Sequence, residues 1–329
     1  MDIKKYKKMT EACIECGNCT RACKFLAKYN LKLNDVEKLC DLAYHCYLCN
    51  ECYRACPVDI SGKNLFIAMR RDIAYANGGK MSDDRSSGVL SEKIDYRFRN
   101  YRHITKNSVF FPGCNFISLY PKTGAAISKM LKRDYGIGTV HDCCGKPIAE
   151  AGLQEEENRA VAELIQRLSD GEVEEIITAC PNCYYFLKDR LGSVRIVNIY
   201  EKFMELGVKI TKLTNDINVY IPCPDRDSQK WLRDIELLTD SKLRIISSAQ
   251  CCGLGGLASG REPELTKEMV SDISAEACGQ AYSYCASCTG QFARAGIPKV
   301  RHILSLITGI DEKPDTKKSY LNRALQKLR

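Results

Sequence analysis

The stretch CIECGNCTRAC, residues 13–23, is followed by a close copy, CYLCNECYRACP, residues 46–57. Both stretches space four cysteines as C-x2-C-x2-C-x3-C, and a proline closes the second. Eighteen of the 20 cysteines in this 329-residue chain fall into four groups, of which these two are the first. Cysteines at short, repeated spacings are typical of metal-cluster sites.

The spacing of these two runs is that of bacterial ferredoxins. In that pattern, three closely spaced thiolates hold three irons of one cubane, and the fourth cysteine of the run ligates the other cluster. The sequence therefore predicts two cubane [4Fe-4S] clusters with exchanged ligands. The first is assigned to Cys13, Cys16, Cys19 and Cys56, and the second to Cys46, Cys49, Cys52 and Cys23.

The other two groups lie further along the chain and repeat each other. Each contains a lone cysteine, then a Cys-Cys-Gly triplet, then a C-x2-C pair. The first group is Cys114, Cys143, Cys144, Cys180 and Cys183, and the second is Cys223, Cys251, Cys252, Cys285 and Cys288. The internal spacings agree within a few residues, and self-similarity at a long period indicates a duplication.

At these residues the chain resembles the cysteine-rich CCG-domain proteins. These include the catalytic subunits of heterodisulfide reductase and the iron–sulfur subunits of anaerobic glycerol-3-phosphate, glycolate and lactate dehydrogenases. A twin-cluster ferredoxin followed by two CCG repeats is most similar to the D-type polypeptide of heterodisulfide reductase, which resembles the C-type and B-type polypeptides fused. The resemblance implies that each set of five cysteines can bind a noncubane [4Fe-4S] cluster, which gives one or two further clusters.

The resemblance also implies an oxidoreductase. Heterodisulfide reductase is proposed to split a disulfide at two facing clusters, whereas the dehydrogenase relatives relay electrons from a flavin subunit toward quinone. We therefore expect the iron–sulfur subunit of an anaerobic complex, with a flavoprotein dehydrogenase or a heterodisulfide reductase-type subunit as partner. Its CCG-bound clusters would reduce a disulfide, a quinone or a similar acceptor. The alternative is a non-catalytic, electron-carrying adaptor whose CCG repeats hold zinc or ordinary clusters.

Two other uses of cysteine fit the sequence less well. A disulfide framework is disfavoured because the charged stretch 1–8 lacks the apolar segment of a secretory signal, and because a chain of this length can bury a core without disulfides. Zinc is disfavoured at the ferredoxin runs, since structural zinc sites normally come as two pairs with a longer gap. Zinc at one CCG repeat stays an alternative.

Charge and hydropathy indicate where we expect the protein to be located and which partners we expect it to bind. No stretch reaches the roughly 18 consecutive apolar residues of a membrane helix, so we expect a cytoplasmic protein. Anionic clusters would partly cancel the formal charge of +8, so nucleic acid is not an expected partner. The tail 313–329 is basic, which predicts either a solvated amphipathic helix or a segment that docks on an acidic partner or on the inner face of the membrane.

The chain is predicted to be an α/β protein in five segments. These are a helical ferredoxin domain with two clusters (1–75), a polar linker (76–107), a first CCG domain (108–212), a second CCG domain (213–311) and the basic tail (312–329). Short apolar strands alternate with helices in both CCG domains, which predicts two duplicated α/β lobes with pseudo-twofold symmetry. Because ligands bind beyond the carboxyl ends of parallel strands, we expect the cysteine groups there.

A few residues are candidates for catalysis. Cys251 and Cys252 are predicted to act at the reactive site, together with His302, which aligns with Asn198 of the first repeat. His45, His141 and Asp142 adjoin cysteines and are further candidate proton donors. No G-x-G-x-x-G fingerprint is present, and the glycines after Cys252 are interpreted as close backbone packing around a cluster. The ungrouped Cys40 and Cys278 are predicted to be buried as small apolar side chains.

Overall fold

The computed structural model describes residues 2–81, 87–213, 217–248 and 250–327. These residues form two compact units. We call the first the N-terminal unit; it comprises Met1–Ile94, Pro147–Asn158 and Ser248–Asp272. The second, the sheet unit, comprises Asp95–Lys146, Arg159–Ser247 and Ile273–Arg329. The sequence did not predict that two short segments from within the CCG repeats would join the N-terminal unit.

The α-helices of the described residues run in chain order as follows: α1 Ile3–Met9, α2 Asn18–Ala22, α3 Lys24–Tyr29, α4 Val36–Asp41, α5 Glu51–Arg54, α6 Gly62–Ala76, α7 Ser87–Ile94, α8 Cys114–Leu119, α9 Pro121–Tyr135, α10 Lys146–Ala151, α11 Gln154–Asp170, α12 Pro181–Leu187, α13 Ile199–Glu205, α14 Lys230–Thr239, α15 Pro263–Glu276, α16 Ala286–Arg294, α17 Ile303–Ile307 and α18 Ser319–Gln326. The strands are β1 Asn100–His103, β2 Asn107–Phe111, β3 Gly138–His141, β4 Val173–Thr178, β5 Arg195–Asn198, β6 Asn218–Tyr220, β7 Arg244–Ile246, β8 Gln280–Ser283 and β9 Lys299–His302.

The ferredoxin part of the N-terminal unit is helical. Within the described residues up to Ile94 there is no strand, as the sequence predicted. The region between the two cysteine runs folds as α3, α4 and a short 3₁₀ helix, Ala43–His45. The N-cap of α4 is Asp35. Small helices are held here by a shared core of fully buried side chains, among them Tyr6, Phe25, Leu39 and Leu65.

The sheet unit contains two sheets with the same topology. The first has the order β1-β3-β2-β4-β5 and the second β7-β6-β8-β9. Apart from β1, which pairs antiparallel with β3, all pairings are parallel, and the order of the remaining four strands is identical in the two sheets. The predicted α/β class and the duplicated lobes are therefore confirmed.

The stretch predicted as a linker, 76–107, is more structured than expected. It contains α7 and the edge strand β1, while residues 82–86 lie outside the described part. Strand β1 was missed because its sequence, Asn-Tyr-Arg-His, is polar and only one of its four residues is buried. An edge strand needs one neighbour and little apolar surface, so its pattern is weak.

Strand ends position the cysteines of the sheet unit. Cys114 starts α8 three residues after β2, Cys180 follows β4, and Cys285 follows β8. Part of the basic tail forms α18, which packs on α8; the Asn322 side chain donates to the carbonyl of Ser118 at 2.9 Å. No helix in the described ranges combines the length and the apolar composition that crossing a membrane requires.

Candidate iron–sulfur sites

The first ferredoxin site lies in the N-terminal unit. The structure brings its four predicted ligands together around one pocket with an empty volume of about 320 Å³ that is partly open to solvent. Cys19 is buried, Cys13 and Cys56 are half-buried, and Cys16 is exposed. The pocket also contains Gly17. Four thiols that line one opening, without a disulfide, fit the donor set of a cubane cluster.

The second ferredoxin site is enclosed. The structure gathers Cys23 with the three cysteines of the other run, and all four are buried, with 6–8% exposed. Burial, followed by the charges of Cys49 and Cys46, raises the pKa of the Cys23 thiol. Burial and the neighbouring thiols likewise raise the pKa of Cys52. Thiols this close would repel one another as thiolates, and iron would remove that cost because it binds the deprotonated form.

The two runs share one local backbone conformation. The residue before the second cysteine of each run has a positive φ, 55° at both Glu15 and Leu48. This turn lets the backbone N–H of Glu15 approach Cys13 Sγ at 3.4 Å, and that of Leu48 approach Cys46 Sγ at the same distance. A positive φ is uncommon outside glycine, so its repetition at matched positions indicates that cluster geometry, rather than local preference, selects it.

A buried arginine supports the second site. The Arg70 side chain is inaccessible to solvent and donates to the carbonyls of Ala43 at 2.9 Å, Glu150 at 2.7 Å and Cys46 at 2.7 Å. Burial lowers its pKa, and the charge of Cys46 acts in the opposite direction. A buried guanidinium is costly without an anion nearby. An anionic cluster held in part by Cys46 would provide one.

The first CCG site lies wholly in the sheet unit. Gly113, at φ 83°, brings Cys114 against the C-x2-C pair, and a Cβ at this glycine would come within 2.7 Å of the Cys180 Cβ. Hydrogen bonds with Cys143 and Cys183 lower the pKa of Cys144 to about 5. The same contact with Cys144 raises the pKa of Cys183. Five thiols therefore meet at the carboxyl ends of β2, β3 and β4.

The cysteines of the second repeat are divided between the two units. Cys223, Cys285 and Cys288 belong to the sheet unit, and Cys251 and Cys252 to the N-terminal unit. Within the sheet unit, the Asn182 side chain of the first repeat approaches Cys285 Sγ at 3.4 Å. Asn182 stands between the two cysteines of the first C-x2-C pair. One motif of the first repeat thus contacts a candidate ligand of the second.

The pair Cys251-Cys252 lies beside the second ferredoxin run. A Cβ at Gly255 would come within 2.5 Å of the Tyr47 carbonyl oxygen, and one at Gly256, where φ is 64°, within 2.3 Å of the Cys46 carbonyl oxygen. The backbone of the segment therefore contacts the backbone of the cluster loop directly, as the glycines after Cys252 suggested. Burial raises the pKa of Tyr47, and the charges of Cys251 and Cys49 contribute to the shift.

The candidate proton donor His302 acts as a helix cap in this structure. It is inaccessible to solvent, its Nδ1 accepts from the backbone N–H of Leu304 at 3.1 Å, and burial lowers its pKa to about 3. The aligned Asn198 caps α13 by accepting from the N–H groups of Tyr200 and Glu201. A neutral imidazole and an amide thus do the same structural work. A catalytic role for His302 stays a prediction.

The other candidates have structural partners. Asp142 accepts from Arg99 Nε at 3.0 Å and from the Tyr101 hydroxyl at 2.9 Å, although burial raises its pKa. His45 faces the carboxylate of Glu262, with Nδ1 2.7 Å from Oε1. His141 is half-buried at the end of β3.

The two ungrouped cysteines differ in exposure. Cys40 is buried, as predicted. Cys278 is exposed, which corrects the expectation of burial: it has a φ of 48° in the turn between α15 and β8, and a turn at the end of a helix is usually open to solvent.

The chemistry of the thiol groups fits iron–sulfur clusters. Among the described residues, no group of three or more His, Cys, Asp or Glu side chains is drawn together around a point where one metal ion could bind. A [4Fe-4S] cubane would fill the space between four thiolates, with one thiolate on each iron. The four-thiol pockets and the five-thiol group of the first CCG repeat have the donor chemistry for such clusters.

Sequence reasoning missed two residues of the second ferredoxin site, Arg70 and Gln250. Arg70 lies on α6, and Gln250 is a single polar residue before the Cys-Cys pair. A Gln or an Arg is most often exposed, and only the tertiary contacts show that these two are buried beside thiols. No spacing in the sequence could have marked either one.

The family model of the cysteine-rich domain CCG matches residues 108–188 and 217–293. Each of these two stretches is therefore similar to the cysteine-rich CCG domain. A search of curated protein sequences finds no match. Among solved structures, the glutamate racemase isoform RacE1 from Bacillus anthracis is similar at 12% identity and a TM-score of 0.35, over 62% of this chain and 79% of that one. No assignment rests on that similarity.

The two CCG matches coincide with the duplicated topology. The first spans β2 to α12 and contains all five cysteines of the first group, and the second spans β6 to α16 and contains all five of the second. The two matched stretches thus contain all ten cysteines of these two groups, together with the ungrouped Cys278. CCG domains indicate an iron–sulfur protein with a role in electron transfer.

Proposed function

We propose that this protein is the iron–sulfur subunit of an anaerobic oxidoreductase complex, related to heterodisulfide reductase. It would take electrons from a flavoprotein partner and pass them through two cubane sites to the CCG domains, where a disulfide, a quinone or a similar acceptor is reduced. The observation that carries the proposal is the contact between the Cys251-Cys252 segment and the Cys46–Cys49 loop. When bound, [4Fe-4S] clusters would supply one-electron transfer.

The difference in exposure between the two ferredoxin sites supports a direction for this transfer. Cys16 of the first site is exposed, so a partner can approach that site closely. The thiols of the second site are buried. The backbone N–H of Leu48 approaches Cys46 Sγ, and the Arg70 guanidinium donates to the carbonyl of the same cysteine. Electrons would enter at the first site and leave through the second.

Contacts within the sheet unit support joint action of the two CCG domains. Asn182 approaches Cys285, and the Asn115 side chain, next to Cys114, donates to the Ser287 hydroxyl at 2.7 Å. The C-x2-C loop of the second repeat therefore contacts two segments of the first repeat: its C-x2-C loop and the residue after Cys114. Reduction of a disulfide to two thiols, or of a quinone to a quinol, takes two electrons and two protons, which suits two cooperating one-electron sites. We propose Cys251 and Cys252 as ligands at the reactive site.

The proposal is tested on the full-length protein, purified and reconstituted without oxygen. Iron, sulfide and zinc content with Mössbauer spectra should show two cubanes and one or two further clusters, without zinc. The dithionite-reduced protein is then mixed with a mixed disulfide or with a soluble quinone. We expect Cys252→Ser to leave reduction of the cubanes intact and to abolish their reoxidation by the acceptor. Cys278→Ser, at an exposed cysteine outside the four groups, is the matched control.

Two results would contradict the proposal. Zinc in place of iron at the CCG domains would favour the adaptor, in which the protein carries electrons but has no acceptor of its own. Reoxidation at the wild-type rate in the Cys252→Ser variant would show that the acceptor does not react at the second CCG repeat.

A further inference from the structure

Gln250 directly precedes the Cys251-Cys252 pair and reaches into the second ferredoxin site. Its side chain is buried, and Nε2 lies 3.5 Å from Cys23 Sγ and 3.5 Å from Cys49 Sγ. These two sulfurs come from different ferredoxin runs, yet they belong to the same predicted cluster. The glutamine therefore contacts that cluster's ligands from a third part of the chain.

The orientation of the Gln250 amide follows from its other partner. The backbone N–H of Lys24 donates to Gln250 Oε1 at 2.8 Å. A backbone N–H can only donate, so the oxygen must face Lys24, and the NH₂ group must face the two sulfurs. The amide has two hydrogens, and two sulfurs lie within reach of them.

Contacts on both sides hold this segment in place. Gly255 and Gly256 press against the carbonyls of Tyr47 and Cys46, where a larger residue would clash. The ammonium group of Lys24 pairs with Glu268 and with Asp272, the latter at 3.1 Å, and both acids lie on α15. Gln250 is thus fixed by backbone contact after it and by ion pairs that anchor α3 to α15. Its amide is pre-oriented toward the thiols.

The first ferredoxin site has no equivalent of Gln250 in the part of the chain that the structure describes. There, no side chain donates to the sulfurs of Cys13, Cys16, Cys19 or Cys56; the donors are the backbone N–H groups of Glu15 and Ile60. Hydrogen bonds to cluster sulfurs stabilise the reduced, more negative state and so raise the reduction potential. One difference between these two sites of equal ligand spacing is therefore the side-chain amide at the second site.

Building on the proposed function, we propose that Gln250 is a positioning residue that donates both amide hydrogens to Cys23 and Cys49 and raises the potential of the second cubane relative to the first. Electrons that enter at the exposed first site would then be drawn to the site beside Cys251. Gln250 belongs to the second CCG repeat. This repeat would therefore set the reduction potential of the cubane that donates electrons to it.

The test uses full-length protein with its clusters and follows both cubanes by EPR during a redox titration. Gln250→Glu keeps an acceptor for the Lys24 N–H and replaces the NH₂ group with an anionic oxygen, and Gln250→Leu removes both donors. We expect the midpoint potential of the second cubane to fall in the Leu variant and to fall further in the Glu variant, while that of the first cubane is unchanged. Gln154→Leu, at an exposed glutamine of the same unit, should change neither.

A second measurement needs no substitution. Pulsed EPR of wild-type protein labelled with ¹⁵N in glutamine side chains should show nitrogen coupling to the reduced second cubane and none to the first. An unchanged potential in the Glu variant, or no ¹⁵N coupling in the wild type, would overturn the role of Gln250. Wild-type protein that lacks a second cubane altogether would instead count against the proposed function.

Discussion

The two ferredoxin-type runs have identical cysteine spacing and the same backbone turn, but they differ in their surroundings. The first site opens to solvent and is lined mainly by residues near its own cysteines. The second is enclosed by side chains from elsewhere in the chain, above all Arg70 and Gln250. Spacing determines which kind of cluster a run can bind, whereas burial and hydrogen bonding determine its potential and its accessibility.

This contrast explains how electron transfer between two copies of one motif can have a preferred direction. If both sites had the same environment, an electron would occupy either cubane equally. An added amide, a buried cation and exclusion of water each change the energy of the reduced state. Of these, the amide of Gln250 comes from Ser248–Asp272, a segment that joins the N-terminal unit from the second CCG repeat.

The strongest test of the comparison is Cys23→Ala. Because Cys23 lies with Cys46, Cys49 and Cys52, we expect loss of the second cubane and retention of the first. EPR of the reduced protein, with iron counted per chain, measures both. Cys40→Ala, at a buried cysteine outside the groups, should retain both cubanes. Loss of the cubane at Cys13, Cys16 and Cys19 would show that each run holds its own cluster.

A second substitution tests whether close packing around the cysteines is also needed for iron binding at the first CCG site. Gly113→Ala would bring a Cβ to 2.7 Å from the Cys180 Cβ, at a backbone φ of 83° that favours glycine. We expect loss of most of the iron bound by that repeat, measured by Mössbauer spectroscopy. Gly136→Ala is the control: its φ is 69°, but the space around its Cβ is open, so it should cost only about 1 kcal/mol and keep the iron.

Arg70→Met tests how much a buried side chain stabilises the second ferredoxin site. The change removes the donor to three carbonyls and the positive charge beside Cys46, and each buried group left without a partner costs about 1–3 kcal/mol. We expect the free energy of unfolding to fall by about 3 kcal/mol, seen as a lower urea concentration for loss of the second cubane. Arg54→Met, which removes a partly exposed pair with Glu51, should cost under about 1 kcal/mol. Equal effects would refute a special role for Arg70.

The smallest expected difference between the two sites is in the rate at which ferricyanide and a chelator remove their iron. The exposed Cys16 and the half-buried Cys13 and Cys56 give reagents access to the first site, so its cubane should decay several-fold faster than the second. EPR of samples quenched over time gives both rates. In the Cys23→Ala variant the remaining cubane should decay at the faster rate. Equal rates in the wild type would show that burial does not protect the second site.

Much of the architecture could be predicted from the sequence because its signals are local. Apolar runs ahead of Cys114, Cys180 and Cys285 indicated β2, β4 and β8, and the structure confirms these strands. The strands β3, β7 and β9 have weaker sequence patterns, because each carries polar or charged side chains among few apolar ones. These strands are stabilised by the parallel sheet, because neighbouring strands form hydrogen bonds with their backbone N–H and C=O groups.

The sequence by itself determined which thiols are candidate cluster ligands, because iron–sulfur chemistry requires thiolates at spacings that a short loop can present, and such spacings are readable along the chain. It also determined the duplicated α/β topology through repeated strand, cysteine and helix patterns. Only the tertiary structure decided which thiols are buried, that Arg70 and Gln250 lie beside the second ferredoxin site, and that Ser248–Asp272 joins the N-terminal unit. These features depend on contacts between residues far apart in the sequence, such as Cys23 and Gln250, which are 227 positions apart. Such contacts leave no periodic trace in the sequence.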